Sequence, residues 1–254
     1  MNDQPTYNEH RDETAAVTVE PKQYPFRVSA GTYIVLVFLV LLFPAFNLFV
    51  AIISGNEMDF SNLDPVLFLF LPTVVMLWSL VLVVLLALWR ERSSLSSIGL
   101  GLPTLTHVGT GILFFIFSSA FLMILQLILM ALGFSFNENT DAILAIAGEH
   151  MGWWLVVSIT AAICEEIIYR GYLMSRIKGV YRTRWILPVI ASMFAFSSGH
   201  LYQGFGGAVL IGIYGLMFCL LYIYTGSIWP GVVAHFIQDY SAVFLYHLQK
   251  NMGF

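Results

Sequence analysis

The chain holds 254 residues, 59% of them hydrophobic and only 10% charged, against roughly 25% charged in an ordinary soluble domain. That composition excludes a soluble globular protein. With 11 Lys+Arg against 15 Asp+Glu, a formal net charge of -4, it also excludes the basic footprint of a nucleic-acid binder, so no nucleic-acid partner is expected.

Residues 1–27 are polar and mixed in charge (Asp3, Glu9, Arg11, Asp12, Glu13, Glu20, Lys22, Arg27). They lack the apolar core and small-residue cleavage site of a secretion signal. The segment reads as a disordered, solvated tail that buries too little apolar surface to offset its ordering entropy.

No Asp, Glu, Lys or Arg lies between Arg92 and Glu138, nor between Arg184 and Asp239. Lipid solvates apolar runs of that length; water does not. The expected fold is therefore all-α: a polytopic transmembrane helix bundle of about seven to eight spans. The spans fall near 30–53, 65–89, 107–132, 152–174, 185–201, 205–224 and 228–248, the fifth being short. Pro44 and Pro72 fall inside the first two, where lipid-embedded helices tolerate them. Residues 28–132 are read as accessory helices and residues 133–254 as the functional core.

Orientation follows from the basic residues. With the tail in the cytoplasm, the inner segments carry Arg11, Lys22, Arg27, Arg90, Arg92, Arg176, Lys178, Arg182 and Arg184. The outer loops near 54–64 and 133–151 carry only acids: Glu57, Asp59, Asp64, Glu138, Asp141 and Glu149. Lys250 dissents. Glycines gather around the sixth span (Gly199, Gly204, Gly206, Gly207, Gly212, Gly215), where they let helices approach closely. Cys164 and Cys219 sit in apolar runs and read as small buried hydrophobes.

Charged groups at membrane depth are costly and mark function by default. The fourth span carries Glu165, Glu166 and Arg170; the fifth ends Phe196-Ser-Ser-Gly-His200; the last holds His235-Phe-Ile-Gln-Asp239. Neighbouring helix positions point about 100° apart, so the two glutamates are expected to face different partners. Glu166 and Arg170 are i,i+4 in the favourable order and read as a structural ion pair. Glu165 is left without a local cation, which suits a general base. His235 and Asp239 share a face, and His200 lies in a span otherwise free of charge. Glu165, His200, His235 and Asp239 are expected to converge on one cavity.

Glu165-Glu166-x-x-x-Arg170, Phe196-x-x-x-His200 and His235-x-x-x-Asp239, in that order at membrane depth, resemble the three-motif signature of the CAAX prenyl protease and bacteriocin-processing (Abi) family of intramembrane endopeptidases. The resemblance covers about 150–245. It implies that Glu165 activates a water, that His200 holds and polarises it, and that His235 with Asp239 stabilises the oxyanion, with Phe196 supporting them. Prenyl-protease members often carry Asn where this chain has Asp239. The implied function is hydrolysis of a peptide bond in a membrane-associated substrate, prenylated or leader-bearing, in a bacterial cytoplasmic membrane. No cofactor is expected; a zinc-dependent version would use Glu165, His200 and His235 as ligands. The alternative from another class is a non-catalytic membrane scaffold in which the same residues form a structural network. A transporter would show inverted repeats, and none is visible.

Overall fold

The computed structural model describes residues 27–54, 63–134 and 139–252. The expected tail, apart from Arg27, lies outside these, as do Glu57, Asp59 and Glu138 of the outer loops. Among the described residues the chain forms helices and no strand, which makes it the expected helical membrane bundle. The long helices are α1 (Ala30–Ile53), α2 (Val66–Glu91), α3 (Leu105–Ala131), α5 (Met151–Tyr181) and α7 (Leu201–Thr225), each long and apolar enough to cross a membrane. Two more complete the predicted spans. α6 (Ile186–Ser198) has only 13 residues, so the fifth span is short, as expected. α8 (Trp229–Met252) has 24 residues, about 36 Å at 1.5 Å per residue.

One helix is new. α4 (Asn139–Glu149) occupies 11 residues of what read as the outer loop 133–151. Its buried Asn139 donates to the Tyr202 carbonyl at 3.1 Å. The absence of a side chain at Gly148 lets the His247 ring of α8 lie directly against it.

Bundle packing follows the small residues. A Cβ on Gly111 of α3 would meet the Pro230 carbonyl of α8 at 2.7 Å, so these backbones nearly touch, as glycine permits in lipid. α6 and α7 meet where Gly212 faces Ser197 and Gly215 faces the Phe196 ring. Within this glycine cluster, Gly212 and Gly215 therefore take the close-packing role. Cys164 and Cys219 are free and buried. The outer faces of α1, α2 and α3 present Phe46, Phe49, Ile52, Leu82, Leu113 and Phe117 outward, the surface that lipid covers.

The path of α5 positions the site. It runs as a regular helix to Glu165, then winds as a π-helix over Glu166–Met174 before resuming. Such insertions are rare and concentrate at functional sites. Arg176, counted in the sequence among the inner-surface cations, is instead buried against Glu91.

Candidate active site

Three carboxylates of α5 and α8 meet around one imidazole, that of His235. The Glu166 Oε1 carboxylate pairs with Arg170 Nη1 at 3.0 Å, with both side chains at most 1% exposed. The pair expected from i,i+4 spacing is therefore present and sealed. The Arg170 guanidinium lies 4.3 Å over the Phe196 ring and 4.9 Å over Phe218, a cation–π sandwich that partly replaces lost hydration. Its Nη2 also donates to the Gly215 carbonyl at 3.4 Å.

His235, buried on α8, sits with Nε2 3.8 Å from Glu165 Oε2 and 3.4 Å from Asp239 Oδ2, and Nδ1 3.6 Å from Glu166 Oε1. This corrects the expectation that adjacent glutamates face different partners. The helix changes to π-winding at Glu166, and an imidazole carries nitrogens on two edges. One histidine therefore stands between both carboxylates, meeting each with a different nitrogen.

Exposure separates the carboxylates. The Glu165 side chain is 14% exposed and Asp239 30%, against 1% for Glu166. Glu165 and Asp239 thus flank the accessible edge of His235, while Glu166 and Arg170 close its inner side. Glu165 Oε2 has no hydrogen-bond partner among the described residues, a condition rare for a buried acceptor and one that asks for a functional account.

His200 is placed differently. Its Nδ1 lies 3.0 Å from the Phe196 carbonyl of its own helix end, and its ring is 4.9 Å from the Phe196 ring. Phe196 is in turn 6.1 Å from the His235 ring. Phe196 therefore neighbours both histidine rings and also stacks on Arg170. A separate apolar groove of about 340 Å³ runs beside this helix end, lined by Val40, Pro44, Leu48, Phe194, Ser198 and Leu201.

Metal binding at Glu165, His200 and His235 would require the three donors to converge. Among the described residues no group of three or more His, Cys, Asp or Glu side chains is placed to hold a metal ion.

Two contributors escaped the sequence reading. Phe218 carries no signal in the sequence. Gly231 does, because it precedes His235 by one helical turn on the same face. A Cβ there would meet Glu166 Oε2 at 2.6 Å, so α8 reaches the buried pair only without a side chain. Gly231→Ala is expected to destabilise the protein by about 1–3 kcal/mol through overpacking. Thermal unfolding in detergent checks this against Gly152→Ala, where nothing lies within 4 Å of the added carbon; equal stability of the two variants would refute it.

The family model for type II CAAX prenyl endopeptidase Rce1-like proteins matches residues 147–241. The stretch contains all three motifs, the whole of α5 and α6, and α8 as far as residue 241. No curated protein and no solved structure matches the chain. The chain is an integral membrane protein, and its residues 147–241 are similar to the type II CAAX prenyl endopeptidases.

Proposed function

We propose that this protein is an intramembrane endopeptidase that hydrolyses a peptide bond in a membrane-associated substrate, with Glu165 as general base. The observation that carries the reading is the difference between two adjacent glutamates. Glu166 is sealed in an ion pair with Arg170 and 1% exposed, whereas the Glu165 side chain is 14% exposed and lies 3.8 Å from His235.

In the proposed reaction the Glu165 carboxylate takes a proton from a water whose oxygen attacks the scissile carbonyl carbon. His200, at the end of α6, orients that water. His235 donates to the oxyanion as charge develops on it, the arrangement in which a fixed donor contributes most. The C–N bond then breaks, and the proton held by Glu165 passes to the leaving amine. Asp239, at 3.4 Å from His235 Nε2, keeps the imidazole oriented. A carboxylate in that role would repel an oxyanion directly, so its partner is the histidine. The substrate is a peptide or protein segment presented at the bilayer, including a prenylated or leader-bearing chain.

Orientation follows from where cations gather. Glu91 at the end of α2 is bonded to Arg176 near the end of α5, so those helix ends share one side of the bundle with Arg90, Arg92, Lys178, Arg182 and Arg184. We infer that this side faces the cytoplasm.

The test compares membrane-protein termini, by mass spectrometry, in cells expressing wild type, His200→Ala or His235→Ala. New termini made by the wild type should fall by roughly a hundredfold with His235→Ala, the scale of a lost oxyanion donor. They should persist in isolated membranes treated with a metal chelator. Termini unchanged in both variants would refute the reading, and loss of all cleavage on chelation would refute its metal-free form.

A further inference from the structure

Away from the motifs, a second buried charge pair ties three helices together. Arg176 Nε donates to Glu91 Oε2 at 2.8 Å, and both side chains are at most 2% exposed. Glu91 Oε1 accepts two further hydrogen bonds, from Thr32 Oγ1 of α1 and Tyr172 Oη of α5, each at 2.9 Å. Arg176 is completed by Ser97 Oγ at 3.0 Å and Ser175 Oγ at 3.1 Å. The Arg27 backbone N–H also reaches the Glu91 carbonyl at 3.3 Å. Three donors from α1 and α5 thus converge on one carboxylate at the end of α2.

The placement matters more than the pair. Tyr172 lies in the π-helical stretch that starts beside Glu165, and Arg176 lies in the turn that follows it. A π-helix lacks the regular i→i+4 ladder that would otherwise fix helix rotation, so tertiary contacts must supply the register. Glu91 supplies it on one side. On the other, Ser192 of α6 donates to the Tyr169 carbonyl at 3.3 Å. Buried ion pairs often give no more stability than an apolar replacement, and their best-attested use is to fix register. Glu165 and His235 face each other at 3.8 Å, a separation at which a small rotation of α5 decides whether the two groups act on the same water.

We propose that Glu91, through Tyr172 and Arg176, is a positioning residue that sets the rotation of the helix carrying Glu165 and thereby the rate of hydrolysis. The inference rests on the hydrolytic reading above for its effect on rate, while its geometric part stands apart from turnover. It gives α1 and α2, which carry none of the motif residues, a part in the site.

The variant to use is Tyr172→Phe, since Glu91→Gln strips a buried cation of its charge partner and endangers folding. Tyr172→Phe removes one donor and keeps the ring; Thr32→Val is the second variant. Histidine labelled with ¹³C and ¹⁵N reports the His235 ring by NMR in detergent, with the resonance assigned by His235→Gln. Cleavage rate is read as appearance of the new membrane-protein termini, with kcat and KM separated by varying substrate expression.

Both variants should remain folded with a displaced His235 resonance. The kcat should fall at least roughly tenfold, within the hundredfold that a misplacement of about 1 Å can cost, at unchanged KM. A His235 resonance superposable on wild type, or wild-type kcat with normal folding, would overturn the proposal. A displaced resonance in a protein whose wild type makes no new termini would overturn the hydrolytic reading and leave the positioning role standing.

Discussion

Replacing Arg170 with methionine should destabilise the protein by about 3–5 kcal/mol, the scale measured when one member of a buried ion pair is removed. The guanidinium is fully buried and balances Glu166 at 3.0 Å. Without it, the Glu166 carboxylate keeps only the His235 imidazole beside it, Nδ1 at 3.6 Å, in surroundings where an uncompensated charge is poorly tolerated. Methionine keeps an unbranched, flexible side chain between Phe196 and Phe218, so loss of charge is the larger part of the change. Glu166→Gln combined with Arg170→Met should therefore recover much of the loss, since the double variant leaves no orphan charge. Thermal unfolding in detergent, on single and double variants, measures the coupling. A double variant no more stable than Arg170→Met would show that the pair does not act through charge balance.

Glu165→Gln should behave in the opposite way. Its partner is 3.8 Å distant, and the side chain is 14% exposed, so little of the fold depends on it. A positioned general base contributes roughly a hundredfold to ten-thousandfold in rate. The variant should lose that factor while unfolding near the wild-type temperature. The neighbouring substitution Glu166→Gln should unfold early, because it orphans Arg170. Two adjacent glutamates with opposite phenotypes, one in rate and one in stability, are the expected signature of this site. Early unfolding of Glu165→Gln would assign it to the structural network.

Much of this was legible because lipid constrains sequence strongly. A backbone in hydrocarbon must satisfy its own hydrogen bonds, so charge-free runs mark the long helices. Charge at membrane depth is rare enough that Glu165, Glu166, Arg170, His200, His235 and Asp239 stand out individually. The i,i+4 spacing gave the Glu166–Arg170 pair directly. What was not legible depends on distance along the chain or on backbone irregularity. Glu91 and Arg176 meet across the bundle, and each reads in sequence as one more charge at a helix end. The π-helix from Glu166 to Met174 has no compositional mark, so the regular 100° spacing wrongly separated Glu165 from Glu166. Helix α4 was hidden because 11 residues are too few to span a bilayer and its acids suit a loop equally well. The contact of His200 with Phe196 required the α6 turn to be seen.

The most direct test of the central claim is a comparison of membrane-protein termini in cells expressing wild type or Glu165→Gln at matched, verified folded levels. The substitution keeps the side chain's size and removes its basic oxygen. Termini present with wild type and reduced at least a hundredfold with the variant are the predicted result, and they would name the substrate. Identical termini from two well-folded proteins would contradict the account and return the polar cluster to a structural role.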